Sequence, residues 1–232
     1  MGEYLGLEAA EIQAVGLSIR VALVCVLILL PVSLGIGYLL ARRSFWGKSI
    51  VESLIHLPLV MPPVTTGYLL LICLGSSSTI GQWLSKYLGI QLAFSFYAAV
   101  IASAVVSFPL MVRSIRTGME LVDPGLEEAS RLLGVGQFMT FIRITVPLAL
   151  PGIVSGCILA FARSLGEFGA TITFAGNIAG ETQTLPLAIY ATMQVPGQEN
   201  ATFRLVLVSV FISFIAMLLS EWYINKVRHD NR

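Results

Sequence analysis

The sequence predicts an all-α integral membrane protein of about five transmembrane helices, on three observations. Its residues are 56% hydrophobic and only 12% charged, against roughly 25% charge in a soluble domain, and mean hydropathy is +0.85. Five apolar runs, at 14–41, 54–74, 92–112, 147–168 and 203–224, reach the roughly 20 residues that a helix needs to cross a bilayer. The basic residues fall on alternate sides. Arg42, Arg43 and Lys48 follow the first run; Arg113, Arg116, Arg131 and Arg143 the third; Lys226, Arg228 and Arg232 the fifth. The other connections carry only Lys86, with Arg204 at a span edge. The positive-inside rule therefore puts the N-terminus outside and the 113–146 loop and the C-terminus in the cytoplasm. Residues 1–232 read as a single transmembrane domain.

Composition also excludes several chemistries. A net charge of +1 leaves no basic stripe to neutralise phosphates, which argues against nucleic acid. Cys25, Cys73 and Cys157 lie far apart inside apolar runs, without metal-ligand spacing or a disulfide framework. The histidines are His56 at a membrane edge and His229 in the tail. They supply no nucleophile–base set and no zinc motif, so an intramembrane enzyme is disfavoured. Intramembrane charge is too sparse for a voltage sensor or a proton relay. The N-terminus, MGEYLGLEAAE, is acidic where a signal peptide is basic, so no cleavage is expected.

The first run carries Arg20 near its outer end, read as an arginine snorkelling to the interface. Gly47-Lys48-Ser49 imitates the tail of a phosphate-binding loop, but Arg42 stands where the leading glycine is required and no strand precedes it. An ATP site is rejected there. The second run holds Pro58, Pro62 and Pro63, then Thr65, Thr66 and Gly67. Prolines remove backbone donors, so this is either a kink repaired by threonine or a broken helix lining a pathway. The 75–91 connection, with Trp83 and Tyr87, suggests an amphipathic segment at the interface.

The fourth run ends in FARSLGEFGATITF. Arg163 and Glu167 share one helix face and can pair, which reads as a structural ion pair holding neighbouring helices. A direct role at the pore is the alternative, weakened because a free carboxylate repels an anion. The 177–200 segment is the longest polar loop on its side, either a solvated connector or a docking surface for an external partner. Trp222 and Tyr223 close the fifth run as an aromatic anchor.

Residues 123–147, DPGLEEASRLLGVGQFMTFIRITVP, form the densest charged block. Asp123 can cap a short helix with Pro124 in its first turn, and Gly134 supplies the stop. Leu126, Ala129, Ser130 and Leu133 are read as one face, with Glu127, Glu128 and Arg131 pointing away from it. About ten residues make a helix too short to stand alone in water, so the block needs something to dock against.

Glu128-Ala129-Ser130, then Gly134, Ile144 and Val146-Pro147, resembles the cytoplasmic signature of the inner-membrane permeases of ATP-binding-cassette (ABC) importers. That pattern is Glu-Ala-Ala, three residues, Gly, nine residues, Ile, one residue, Leu-Pro. Ser130 and Val146 are conservative departures from it. HLPLVMPPVTTGYLLL, SFPLMVRSIR, LAFARSLGEFGATITF and NIAGETQTLPLAIY are similar to the molybdate, sulfate and tungstate permease family, and the last segment favours molybdate.

The resemblance implies a type I importer permease fold in the bacterial inner membrane and a homodimer around a shared pathway. It further implies two cytoplasmic ATPase subunits, which use the ATP and Mg, and an external substrate-binding protein. This chain would bind no cofactor of its own. Leu126, Glu128, Ala129, Arg131, Leu133 and Gly134 are the expected ATPase-docking residues on a coupling helix. Thr65, Thr66, Ser107, Ser155 and Ser164 are pathway or gate candidates, since hydroxyls suit a passing dianion that must not be held tightly. The alternatives are a sulfate or tungstate permease and, from another class, a passive channel or structural membrane subunit.

Overall fold

A computed structural model describes residues 8–230, with side chains through residue 219 and at Trp222. The expectations placed on residues 1–7, on the side chains of Tyr223, Lys226, Arg228 and His229, and on Arg232 lie outside the described residues.

Every regular element among the described residues is helical. Among the described residues three helices are long and apolar enough to cross a membrane, or up to five spans if each of two bent pairs counts as one. The first of the three, α1 (Ala9–Arg42), is 34 residues long, or about 51 Å at 1.5 Å per residue. That exceeds the hydrocarbon thickness and calls for tilt or overhang. Its buried residues, among them Ala14, Ser18, Ala22, Cys25, Ser33 and Gly37, recur every three or four positions and are mostly small. Small side chains let helix backbones approach where lipid supplies no hydrophobic drive. The opposite face, with Leu23, Leu27, Ile28 and Val32, is exposed.

The second run is broken. Helices α2 (Lys48–Val60) and α3 (Pro63–Leu74) meet at 112°, so the expected straight span at 54–74 is replaced by a sharp bend. Pro62 and Pro63 fall at the turn: neither can donate, and Pro63 is preset for the first turn of α3. Lys48, from the rejected phosphate-loop resemblance, donates from Nζ to the Leu40 carbonyl at 2.7 Å and so caps the end of α1. The amphipathic segment predicted after α3 is α4 (Thr79–Leu88), with Trp83 and Tyr87 exposed and their ring centroids 5.6 Å apart.

Helix α5 (Phe96–Glu120) is the central post. Ala98, Ala99, Ala102, Val106, Met111 and Ile115 along it are all buried. It continues past the predicted end at residue 112, then turns into α6 (Pro124–Leu132), α7 (Gln137–Thr140), one π-helical turn (Phe141–Thr145) and α8 (Val146–Leu148). Next, α9 (Leu150–Leu165) leaves at 73° to the preceding helix, from an elbow at Ala149 flanked by Pro147 and Pro151.

Beyond a break at 166–168 lies α10 (Gly169–Phe174). It packs on α3 so closely that a Cβ at Gly67 would stand 2.6 Å from the Ala170 carbonyl oxygen, and one at Gly169 would stand 2.8 Å from Pro63 Cβ. Only glycine permits that approach.

The 177–200 segment is not a loop throughout. Leu185–Met193 is a helix, α11, whose Leu185 and Ala188 join Ala14 and Leu205 in a small core. LPLAIYATM is apolar enough to pack, and the polar residues on either side disguise it. Ser18 receives the Leu185 amide at 2.6 Å, which satisfies a donor at the start of α11. Helix α12 (Glu199–Asp230) completes the chain. Its Arg204 donates to Glu11 of α1 at 3.0 Å.

Candidate functional site

Two regions carry the predicted functional residues, and the better defined is the α6 block. Asp123 accepts from the Gly125 amide at 2.8 Å and Pro124 takes the first helical position. At the other end Gly134 has φ +84, a conformation that favours glycine. Its amide donates to the Arg131 carbonyl at 2.9 Å, and the Val135 amide donates to Ser130 at 3.1 Å. These two bonds satisfy the orphan carbonyls of the last turn. Both helix signals were legible in the sequence.

The orientation of α6 was not. Its buried residues are Glu127 and Ser130, so of the four residues read as one face Ser130 alone is buried, and Glu127, read as pointing away from that face, is the charged residue turned inward. Leu126, Leu132 and Leu133 are 48%, 89% and 84% exposed. Glu128, Ala129, Arg131 and Gly134 are exposed as well. The helix turns its leucines outward because its polar side has better partners inward.

Glu127 Oε1 accepts from Arg42 Nε at 3.0 Å and from the Thr145 hydroxyl at 2.8 Å, while Arg131 reaches Oε2 at 3.4 Å. Ser130 pairs with the Thr140 hydroxyl at 3.0 Å. The π turn carries Thr145 into this cluster; single π turns often occur at functional sites. Beside it, Arg116 of α5 reaches Glu52 of α2 at 2.8 Å and Glu120 at 2.7 Å. Arg116, one of the basic residues that follow the third run, thus also fastens α2 to α5. No local pattern marks Arg42 or Thr145 as partners of Glu127.

The pathway candidates do not converge. Thr65 is exposed on the first turn of α3, while Thr66 beside it is buried, with no hydrogen-bond partner for its hydroxyl. Ser107 and Ser164 are packed against Cys25 between α5, α9 and α1, inside the bundle rather than on a surface. Ser155 lines a groove of about 440 Å³ with Leu110, Arg113, Ser114 and Thr117. Arg163 and Glu167 do pair, at 2.8 Å. Glu167 is 2% exposed and its other oxygen accepts the Ala170 amide at 2.8 Å, so the carboxylate caps the start of α10 and holds the break at 166–168. Among the described residues no cluster of His, Cys, Asp or Glu is arranged to hold a metal ion.

The bundle thus holds two bent helix pairs and, beside them, a short helix with exposed leucines. Over residues 33–229 the chain belongs to the family of binding-protein-dependent transport system inner membrane components. It is 52% identical to the molybdenum transport system permease protein ModB of Haemophilus influenzae over 212 residues, covering 91% of this chain and 93% of that one. The fold matches the structure of a bacterial ABC transporter that imports the acidic polysaccharide alginate, with TM-score 0.73 at 14% identity, covering 97% of this chain and 82% of that one. It also matches the inward-facing MetNI methionine ABC transporter, with TM-score 0.71 at 16% identity, covering 93% and 95%.

Proposed function

We propose that this chain is the pathway-forming subunit of an ATP-driven molybdate importer. Two copies enclose the pathway, two cytoplasmic ATPase subunits hydrolyse ATP with Mg, and an external binding protein delivers the oxyanion. The observation that carries the proposal is the outward apolar face of α6: Leu126, Leu132 and Leu133 exposed above a buried carboxylate. A helix of nine residues with its leucines in water fits a partner's groove. The charge asymmetry of the connections supports a cytoplasmic position for that groove. Leu126, Glu128, Ala129, Arg131, Leu133 and Gly134 form the docking surface. Identity to permeases named for molybdenum transport supports the substrate.

ATP-driven closure of the ATPase pair would push α6 and rock the attached helices between inward- and outward-open arrangements. Thr65 and Ser155, which reach a surface, are the candidates for lining the path; Ser107 and Ser164 serve the packing. The Arg163–Glu167 pair stiffens the α9–α10 break.

Substrate is tested by uptake of labelled molybdate into vesicles holding the full complex, with sulfate and tungstate as competitors. Inhibition by unlabelled molybdate at concentrations where sulfate has no effect is expected. Sulfate competing equally would overturn the assignment to molybdate. Replacing Thr65 by valine should lower uptake severalfold without loss of assembly, if that hydroxyl replaces part of the ion's hydration. Unchanged uptake would remove Thr65 from the path.

A further inference from the structure

We infer that Glu127 is the joint through which α6 moves the membrane helices, a positioning role separate from any contact that α6 makes with a partner. The inference rests on α6 being the coupling helix. It adds a residue that faces the other way from the docking surface.

Three separate pieces of chain meet at this one carboxylate. Arg42, from the last turn of α1, lies 85 residues earlier in sequence. It also donates to the Val122 carbonyl at 2.8 Å, so it grips the turn entering α6 on both sides. Thr145, 18 residues later, belongs to the π turn that leads through α8 to the elbow of α9. Tyr38 packs on Phe141 of the same π turn with ring centroids 4.8 Å apart. The last turns of α1 and the approach to α9 are thus held together where α6 presses on them.

The chemistry of the contact decides what it transmits. Helix α6 buries no apolar side chain of its own; its inward residues are Glu127 and Ser130. An apolar contact tolerates sliding, whereas a carboxylate that is 2% exposed cannot leave its partners without stranding a charge. Displacing α6 must therefore carry Arg42 and Thr145 with it. At its far end α1 holds Glu11 against Arg204 of α12 at 3.0 Å, so a movement of α1 reaches the opposite face of the bundle.

The test uses the reconstituted complex of this chain with its ATPase subunits and binding protein. It measures ATPase retention, basal hydrolysis and labelled molybdate moved per ATP. Glu127→Gln is expected to retain the ATPase subunits and keep basal hydrolysis within about twofold, while molybdate moved per ATP falls about tenfold. The double variant Arg42→Gln with Glu127→Gln should be no worse than Glu127→Gln alone, because the two residues act as one unit. Three results overturn the inference: wild-type transport per ATP in Glu127→Gln, transport loss that only tracks loss of ATPase subunits, or additive effects of the two substitutions. If the wild-type complex itself shows no ATP-dependent uptake, the coupling reading fails, whatever Glu127 does.

Discussion

Glu127 and Glu128 are neighbours with opposite surroundings. Successive helix residues point about 100° apart; here one side chain is shut against Arg42 and Thr145 and the other faces solvent. Glu128→Arg should therefore leave membrane insertion and thermal stability unchanged and lower co-purification of the ATPase subunits. Normal retention and normal stimulation of hydrolysis would remove Glu128 from the docking surface. Gly134→Pro should act through the helix end instead. It removes the amide that donates to Arg131 and cannot adopt φ +84, at a cost on the order of 3 kcal/mol to α6. Loss of ATPase retention with normal insertion is expected, and full retention would contradict the account.

At the scale of elements, the contact of α3 with α10 and the ion pair beside it hold the interior breaks. Gly67→Val would drive a side chain into the Ala170 carbonyl, and overpacking of this kind costs about 1–3 kcal/mol. A lower melting temperature in detergent, with uptake reduced in proportion, is the expected result; an unchanged melt would mean that the two helices separate freely. Arg163→Gln leaves Glu167 buried without its cation. Because Arg163 is itself 29% exposed, the loss should be on the order of 2 kcal/mol, less than for a fully buried pair. The melt again reads it.

This is also the scale at which legibility divides. The spans were readable because about 20 apolar residues have few other uses, and the α6 ends because Asp123, Pro124 and Gly134 each have a local reason to be there. The 112° turn was not readable: Pro62 and Pro63 mark where the helix stops but say nothing of where the next one points. Helix α11 was hidden by the glycines and polar residues around it. The inward turn of Glu127 depends on Arg42, 85 residues away, which no local pattern records. The residue pattern of α6 alone therefore does not show that Glu127 is the side chain turned inward.

Across the whole molecule, α1 is pinned at both ends, by Glu11 to Arg204 and by Arg42 to Glu127, around the alanine-rich post of α5. The pathway candidates chosen by residue type scatter into a helix terminus, a buried packing site and a groove, because type predicts chemistry and not position. What unites the molecule is the link from α6 to the spans. Its most direct test is labelled molybdate uptake into vesicles holding the complete complex, compared with ATP, with ADP, and with ATP but without the ATPase subunits. The account predicts accumulation with ATP and the full complex alone. Equilibration without ATP or without the ATPase subunits would make the chain a passive channel and contradict it.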